Sequence, residues 1–203
     1  MIEQRPAAEA VFAAWLASLA PRTGYEGDRA ALAALRRGLG KEPGEAPELF
    51  PLVVPRLHRV PPWDEGRWYL VAALFGAHPV SWSDPEPPAG TRVRNLGASF
   101  AIARRAVARR AEGSVGGLDR RFAVLLASDR RELRDRLRQT VSLLRAHGAP
   151  VDWAQLLCDL RSWDAPNRWV QREWAREYWR PGATEQPEAA TGAEAAAAGA
   201  AVN

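Results

Sequence analysis

The 203-residue chain contains a single cysteine, a single lysine and three histidines. Cys158 alone cannot close an intrachain disulfide or build a thiolate zinc site. His58, His78 and His147 are too scattered in sequence to suggest a metal cluster. No apolar run approaches the roughly 18 residues that a membrane span needs. Lys41 follows Gly38 and Gly40 without the partners of a phosphate loop, and no Gly-x-Ser-x-Gly elbow is present. Among Leu156, Leu157 and Leu160, Cys158 reads as a buried, inert thiol. His58 and His78 lie in or beside proline-rich loops, and His147 suits the negative end of a helix. The pairs Asp129/Glu132 and Glu173/Glu177 read as caps and surface ion pairs. No enzyme, metal or cofactor is expected. Val11–Ala20 superficially resembles a signal peptide. Glu3, Glu9 and Trp15 contradict that, and Val11, Trp15 and Leu19 recur as one helix face, so a cytoplasmic protein is expected.

What the chain does have is arginine and tryptophan. It is 47% hydrophobic and 26% charged, with nine Trp, and at this length folding removes roughly 70% of the unfolded surface. Lys41 is the only exception to Arg among 28 basic residues, and the net charge is +4. From Arg92 to Arg145 fourteen Arg face five acids, whereas Pro181–Asn203 carries three Glu and no base. A basic block between weakly charged flanks points to a polyanionic partner, nucleic acid first and an anionic membrane surface second.

The patterning is helical nearly throughout, so the expected fold is all-α. It is a compact bundle of about seven to nine helices with two proline-rich loops, 43–62 and 79–90, and a disordered Ala/Glu tail at 181–203. Residues 1–180 form the expected helical unit, with a division into clusters at about 1–112 and 113–180 left open. Asp28 caps a helix with Leu32, Leu35 and Leu39 on its stripe, Asp129 one with Leu133, Leu137, Val141 and Leu144, and Asp152 one with Trp153, Leu156, Leu157, Leu160 and Trp163. Residues 68–75, apolar on all sides, form a buried central helix. Leu118–Ala127 is a short helix after breaks at Gly113, Gly116 and Gly117, and Pro166 suits the first turn of the last helix. The tryptophans read as core.

Arg130, Arg134 and Arg138 recur at i, i+4 and i+8, which makes one exposed stripe. Arg120 and Arg121 open the short helix before it, and Arg104 lies on the helix before that. Arg29 and Arg36 share a face, with Arg37 and Lys41 nearby. An arginine stripe with few interleaved acids repels itself unless anions neutralise it, and the planar guanidinium suits phosphate oxygens. No base-reading motif or zinc-finger spacing is present. Binding should therefore follow the backbone, tolerate sequence and depend steeply on salt.

Seven segments in order carry a resemblance: RAALAALRRG (29–38), WYLVAALFGAH (68–78), LGASFA (96–101), RRFAVLLASDRREL (120–133), LRQTV (137–141), VDWAQLLCDLRSW (151–163) and QREWAREYW (171–179). Together they span nearly all of residues 8–180. The chain resembles the CasB family, the small subunit of the type I-E CRISPR surveillance complex (Cascade). The resemblance implies an all-helical, non-catalytic subunit in antiviral defence, present as two head-to-tail copies beside the other Cascade subunits. It implies contact with guide RNA and single-stranded DNA, supporting the guide–target duplex and holding the displaced strand of the R-loop. The motif-matched bases are Arg36, Arg37, Arg120, Arg121, Arg130 and Arg138. Arg29, Lys41, Arg104 and Arg134 follow from charge alone. The 79–90 loop and the tail depart from the family pattern. Two other readings stay open. One is a helical scaffold whose Arg face docks an acidic protein partner. The other is a helix-turn-helix regulator, although the Ala127-Ser128-Asp129 link lacks the usual Gly turn.

Overall fold

A computed structural model describes residues 7–82, 93–110 and 115–180. Nine α-helices lie in this part of the chain and no strand does: α1 Ala8–Leu19, α2 Arg29–Arg37, α3 Phe50–Val53, α4 Glu65–Ala77, α5 Leu96–Arg110, α6 Val115–Ala127, α7 Arg130–Ala146, α8 Trp153–Arg161 and α9 Trp169–Tyr178. The expected tail at 181–203 and most of the 79–90 loop lie outside the described residues.

Local chemistry sets the helix starts. The carboxylates of Asp28, Asp129 and Asp152 accept from the backbone N–H groups of Ala31, of Arg131 and Glu132, and of Gln155. Each satisfies donors that the first helical turn leaves unpaired. Asn95 does the same for Ala98 at the head of α5. The proline-rich 43–62 stretch carries α3 flanked by 3-10 turns at Pro47–Leu49 and Val54–Arg56. Prolines occupy the first turns of these elements, where no N–H is needed.

One apolar cluster runs from Phe12 to Tyr178. At its centre α4 buries every residue from Val71 to Gly76. A Cβ on Gly76 would sit 2.7 Å from the Arg36 backbone nitrogen, so α2 and α4 cross nearly backbone to backbone. Gly97 does the same for α5 and α9, where a Cβ would lie 2.0 Å from the Trp174 carbonyl oxygen. Burial favours giving a polar group a partner, and three buried groups show how this fold supplies one. The Arg67 guanidinium bonds both Asp64 carboxylate oxygens and the Leu157 carbonyl, with Glu9 3.5 Å away, and so ties α1, α4 and α8 together. Asp159 accepts from Trp174 Nε1 at 2.7 Å and Gln155 Nε2 at 2.8 Å. Burial still pushes its carboxyl up to about 6. His78 hydrogen-bonds the Ala149 carbonyl through Nε2 at 2.8 Å, and burial, then nearby Arg145, push its pKa down.

Five local expectations need correction. The inward face of α1 is centred on Phe12 and Leu16, and Val11 is exposed. Helix α6 begins at Val115, so Gly116 and Gly117 lie in its first turn instead of breaking the chain before it. The last helix begins at Trp169, not near Pro166. Arg168 at its N-cap sits in the left-handed region (φ 49°), after a turn closed from Arg168 N–H to the Ala165 carbonyl. Cys158 is exposed on the outer side of α8. Partial desolvation by the surrounding protein, then the nearby Glu9, raise its pKa and favour the thiol. The tryptophans divide: Trp68, Trp153, Trp163 and Trp174 are core, while Trp169 and Trp179 are exposed and Trp63 is 74% exposed.

Candidate nucleic-acid interface

Helices α6 and α7 meet at a two-residue turn that the core holds in place. Ser128 is buried, its hydroxyl donating to the Leu125 carbonyl, and its own carbonyl accepts from Trp163 Nε1 at 3.1 Å. Asp129 then starts α7. Leu118, Phe122 and Leu125 of α6 and Leu133, Leu137, Val141 and Leu144 of α7 point into the core. Above this seam a groove of about 590 Å³ opens between the two helices. Phe100 and Leu125 form its floor, with Val124 and Leu143 beside them. Arg120 and Arg121 come from α6, and Arg136 and Arg138 from α7.

The charges of the groove are mostly uncompensated. Arg120, Arg121 and Arg136 form no ion pair among the described residues. Among the described residues Arg138 pairs with Asp135 alone, at 3.4 Å and half exposed, a geometry worth little in water. Asp119, next to Arg120 in the chain, is used elsewhere. It accepts from the Tyr178 hydroxyl at 2.5 Å and lies 3.3 Å from Arg104 Nε.

A second basic segment adjoins α7. Gly40 takes a positive φ of 76°, and a Cβ there would lie 3.2 Å from Arg138 Nη1. Arg134 donates to the Lys41 carbonyl and pairs with Glu42 at 2.9 Å. The loop after α2 is thus fastened along α7, with Lys41 exposed and its chain neighbour Gly40 against Arg138. Arg37 is exposed on the last turn of α2, and Arg36 donates from Nε to the Gly76 carbonyl at 3.1 Å.

The structure therefore gathers Arg120, Arg121, Arg138 and Lys41, with Arg36 and Arg37 further along α2. It does not bring Arg104, Arg130 and Arg29 to the same place. Arg104 is directed to Asp119 and the Tyr178 ring. Arg130 pairs with Asp164 and Arg29 with Glu26. Arg134 is only 24% exposed, so the stripe at 130, 134 and 138 is interrupted at its middle.

Arg136 was not legible as a site residue. The 130/134/138 spacing draws attention to a different row of α7. The row through Arg136, Gln139, Thr140 and Leu143 faces α6, and its i, i+3, i+4, i+7 spacing is the signal that marks a shared helix face. On α5, Arg105 has its pKa lowered by desolvation and by Arg109, another crowding of like charge. Among the described residues no cluster of three His, Cys, Asp or Glu could hold a metal ion, and no helix is long and apolar enough to cross a membrane.

Comparison with known proteins adds a family. A family model described as CRISPR-associated protein Cse2 matches residues 31–179. A CRISPR-associated protein Cse2 of Thermus thermophilus is 38% identical over 177 residues, covering 86% of this chain and 92% of that protein. The crystal structure of M. ruber CasB superposes with a TM-score of 0.64 at 32% identity, covering 86% of this chain and 93% of the other. A chain of a CRISPR RNA-guided surveillance complex superposes at 0.61 with 26% identity, over 84% and 91% of the two chains.

Proposed function

The chain belongs to the CRISPR-associated Cse2 family, and from that premise we propose that it is a non-catalytic Cascade subunit that binds nucleic-acid backbone. The binding surface is the α6/α7 groove together with the Lys41 loop. The bound strands are the displaced DNA strand and the guide–target duplex of the R-loop, in the company of other Cascade subunits and a second copy of the chain. One observation carries the reading: Arg120, Arg121 and Arg136 line one groove and form no ion pair among the described residues. Like charges held together are stabilised by a bound polyanion, and guanidinium forks match phosphate oxygens.

The energetics suit an R-loop. Replacing a DNA duplex by an RNA–DNA hybrid is nearly balanced, so a few contacts to the displaced strand shift the equilibrium toward the open state. Base pairing supplies the sequence, and the protein needs only backbone and shape.

The test is binding of labelled, mixed-sequence single-stranded DNA across a salt series. Five phosphate contacts, from Arg120, Arg121, Arg136, Arg138 and Lys41, give a log–log salt slope near −3.5, at roughly −0.7 per contact. The R120A/R121A/R136A variant is expected to flatten that slope by about 2. Weak, salt-independent binding that is unchanged in the variant would remove the groove from the interface.

A further inference from the structure

The α6/α7 groove is larger and more apolar than phosphate contact requires. Phosphates are held by donors at a surface, yet this groove has a volume of about 590 Å³. That is the size at which proteins enclose a small organic ligand. Its floor is formed by Phe100 and Leu125, each about 1% exposed. Val124 stands in it at 40% exposure. Gln139 and Ser142 add hydrogen-bonding groups beside the arginines.

We propose that the groove is a nucleobase pocket, in which one unstacked base of a bound single strand sits on the apolar floor while the arginine rim holds the phosphates on either side. The proposal rests on the backbone-binding reading above and goes beyond it, because it assigns the apolar part of the site a ligand. Three features favour a base over any other group on the strand. A base is flat and apolar on its faces, and so is matched by Val124, Leu143 and the aliphatic stem of Arg136. Its edges hydrogen-bond, and Gln139 and Ser142 can both donate and accept. The guanidinium of Arg136 can stack on a ring, a mode of base holding that arginine shares with aromatic side chains. Because every base has such a face, the pocket tolerates sequence.

The experiment compares three single-stranded DNAs of equal length: a mixed-sequence strand, the same strand with abasic sites throughout its centre, and one carrying 2-aminopurine there. The protein is used as the wild type and as V124L/S142L, two exposed positions whose longer side chains occupy the groove while leaving every arginine in place. The wild type is expected to bind the mixed strand about fivefold tighter than the abasic strand, toward the lower end of what holding one base contributes. Binding should also brighten 2-aminopurine, as expected for a base withdrawn from its stack. In V124L/S142L the preference and the brightening should both disappear, while the salt slope, which counts phosphates, stays the same. Equal affinity for mixed and abasic strands, with unchanged fluorescence, overturns the pocket and leaves the backbone reading intact. Absence of salt-steep binding to either strand overturns both.

Discussion

The arginines around the α6/α7 groove and those inside the fold are the same residue put to opposite use. Arg67 is 7% exposed, and its guanidinium is held by Asp64, the Leu157 carbonyl and nearby Glu9. Arg104 and Arg134 are less buried but also answered, by Asp119 and Glu42. Arg120, Arg121 and Arg136 have no such counterpart among the described residues, and they converge on a cavity. A charge taken out of water must be paired, and a charge left in water beside its like is available to an anion. Arginine content therefore says little about binding until each guanidinium has been followed to its acid.

That contrast can be broken at four places. The largest effect is expected at Arg67. R67A leaves Asp64 and the Leu157 carbonyl buried without their partner, and truncating one side of a buried pair costs about 3–5 kcal/mol. Denaturant unfolding should show that loss, with DNA affinity of the folded fraction unchanged. Next is Asp159, also buried. Its folded pKa of about 6 lies above the ordinary aspartate value of 3.8. The folded state then holds a proton that the unfolded state has released, so stability is highest below the unfolded value. It falls as pH rises from about 4 to about 6, by about 3 kcal/mol from the linkage of 1.36 kcal/mol per unit. D159N keeps an acceptor for Trp174 Nε1 and should remove that fall. His78 acts in the opposite sense: its lowered pKa makes stability decline as pH drops below the unfolded value of about 6.5. H78Q in the D159N background should flatten the remaining slope.

The third place is the groove itself. R121A/R136A is expected to weaken single-stranded DNA binding about tenfold near 0.1 M salt and to reduce the salt slope by about 1.4, two contacts at roughly −0.7 each. The melting temperature should move by no more than a degree or so, because neither side chain is paired. The smallest effect belongs to the exposed pair of Arg29 and Glu26. Both are nearly 80% exposed, and R29A should change stability by less than about 0.5 kcal/mol. Charge in the sequence marks Arg29 as a binding residue, and its effect on the salt slope measures whether the interface extends that far along α2.

Much of the fold was legible because it rests on chemistry within one or two turns. Asp28, Asp129 and Asp152 announce their helices by position alone, and the all-apolar run at 68–75 reads as a buried helix because Ala72 and Ala73 favour helix over strand. The errors came where a distant segment intervened. Trp63 has the composition of a core residue but sits on a 3-10 turn that leads outward. The last helix starts late because the chain first turns through Ala165–Arg168, where Arg168 donates from its side chain to the Leu126 carbonyl of α6. Cys158 is flanked by core leucines yet occupies the outer position of α8.

For the site, the sequence by itself determined that the bases are arginines, that most of the excess lies between Arg92 and Arg145, and that α7 has an Arg-bearing stripe beside its leucines. These follow from residue type and a 3.6-residue period, which act over a few ångströms along one helix. Only the tertiary structure decided which arginines remain unpaired. The acids that neutralise Arg130, Arg134 and Arg104 are 34, 92 and 15 residues away, and ion pairing depends on distance in space. It also decided that the row through Arg136 faces α6 across an apolar floor, since a cavity exists only between elements already packed.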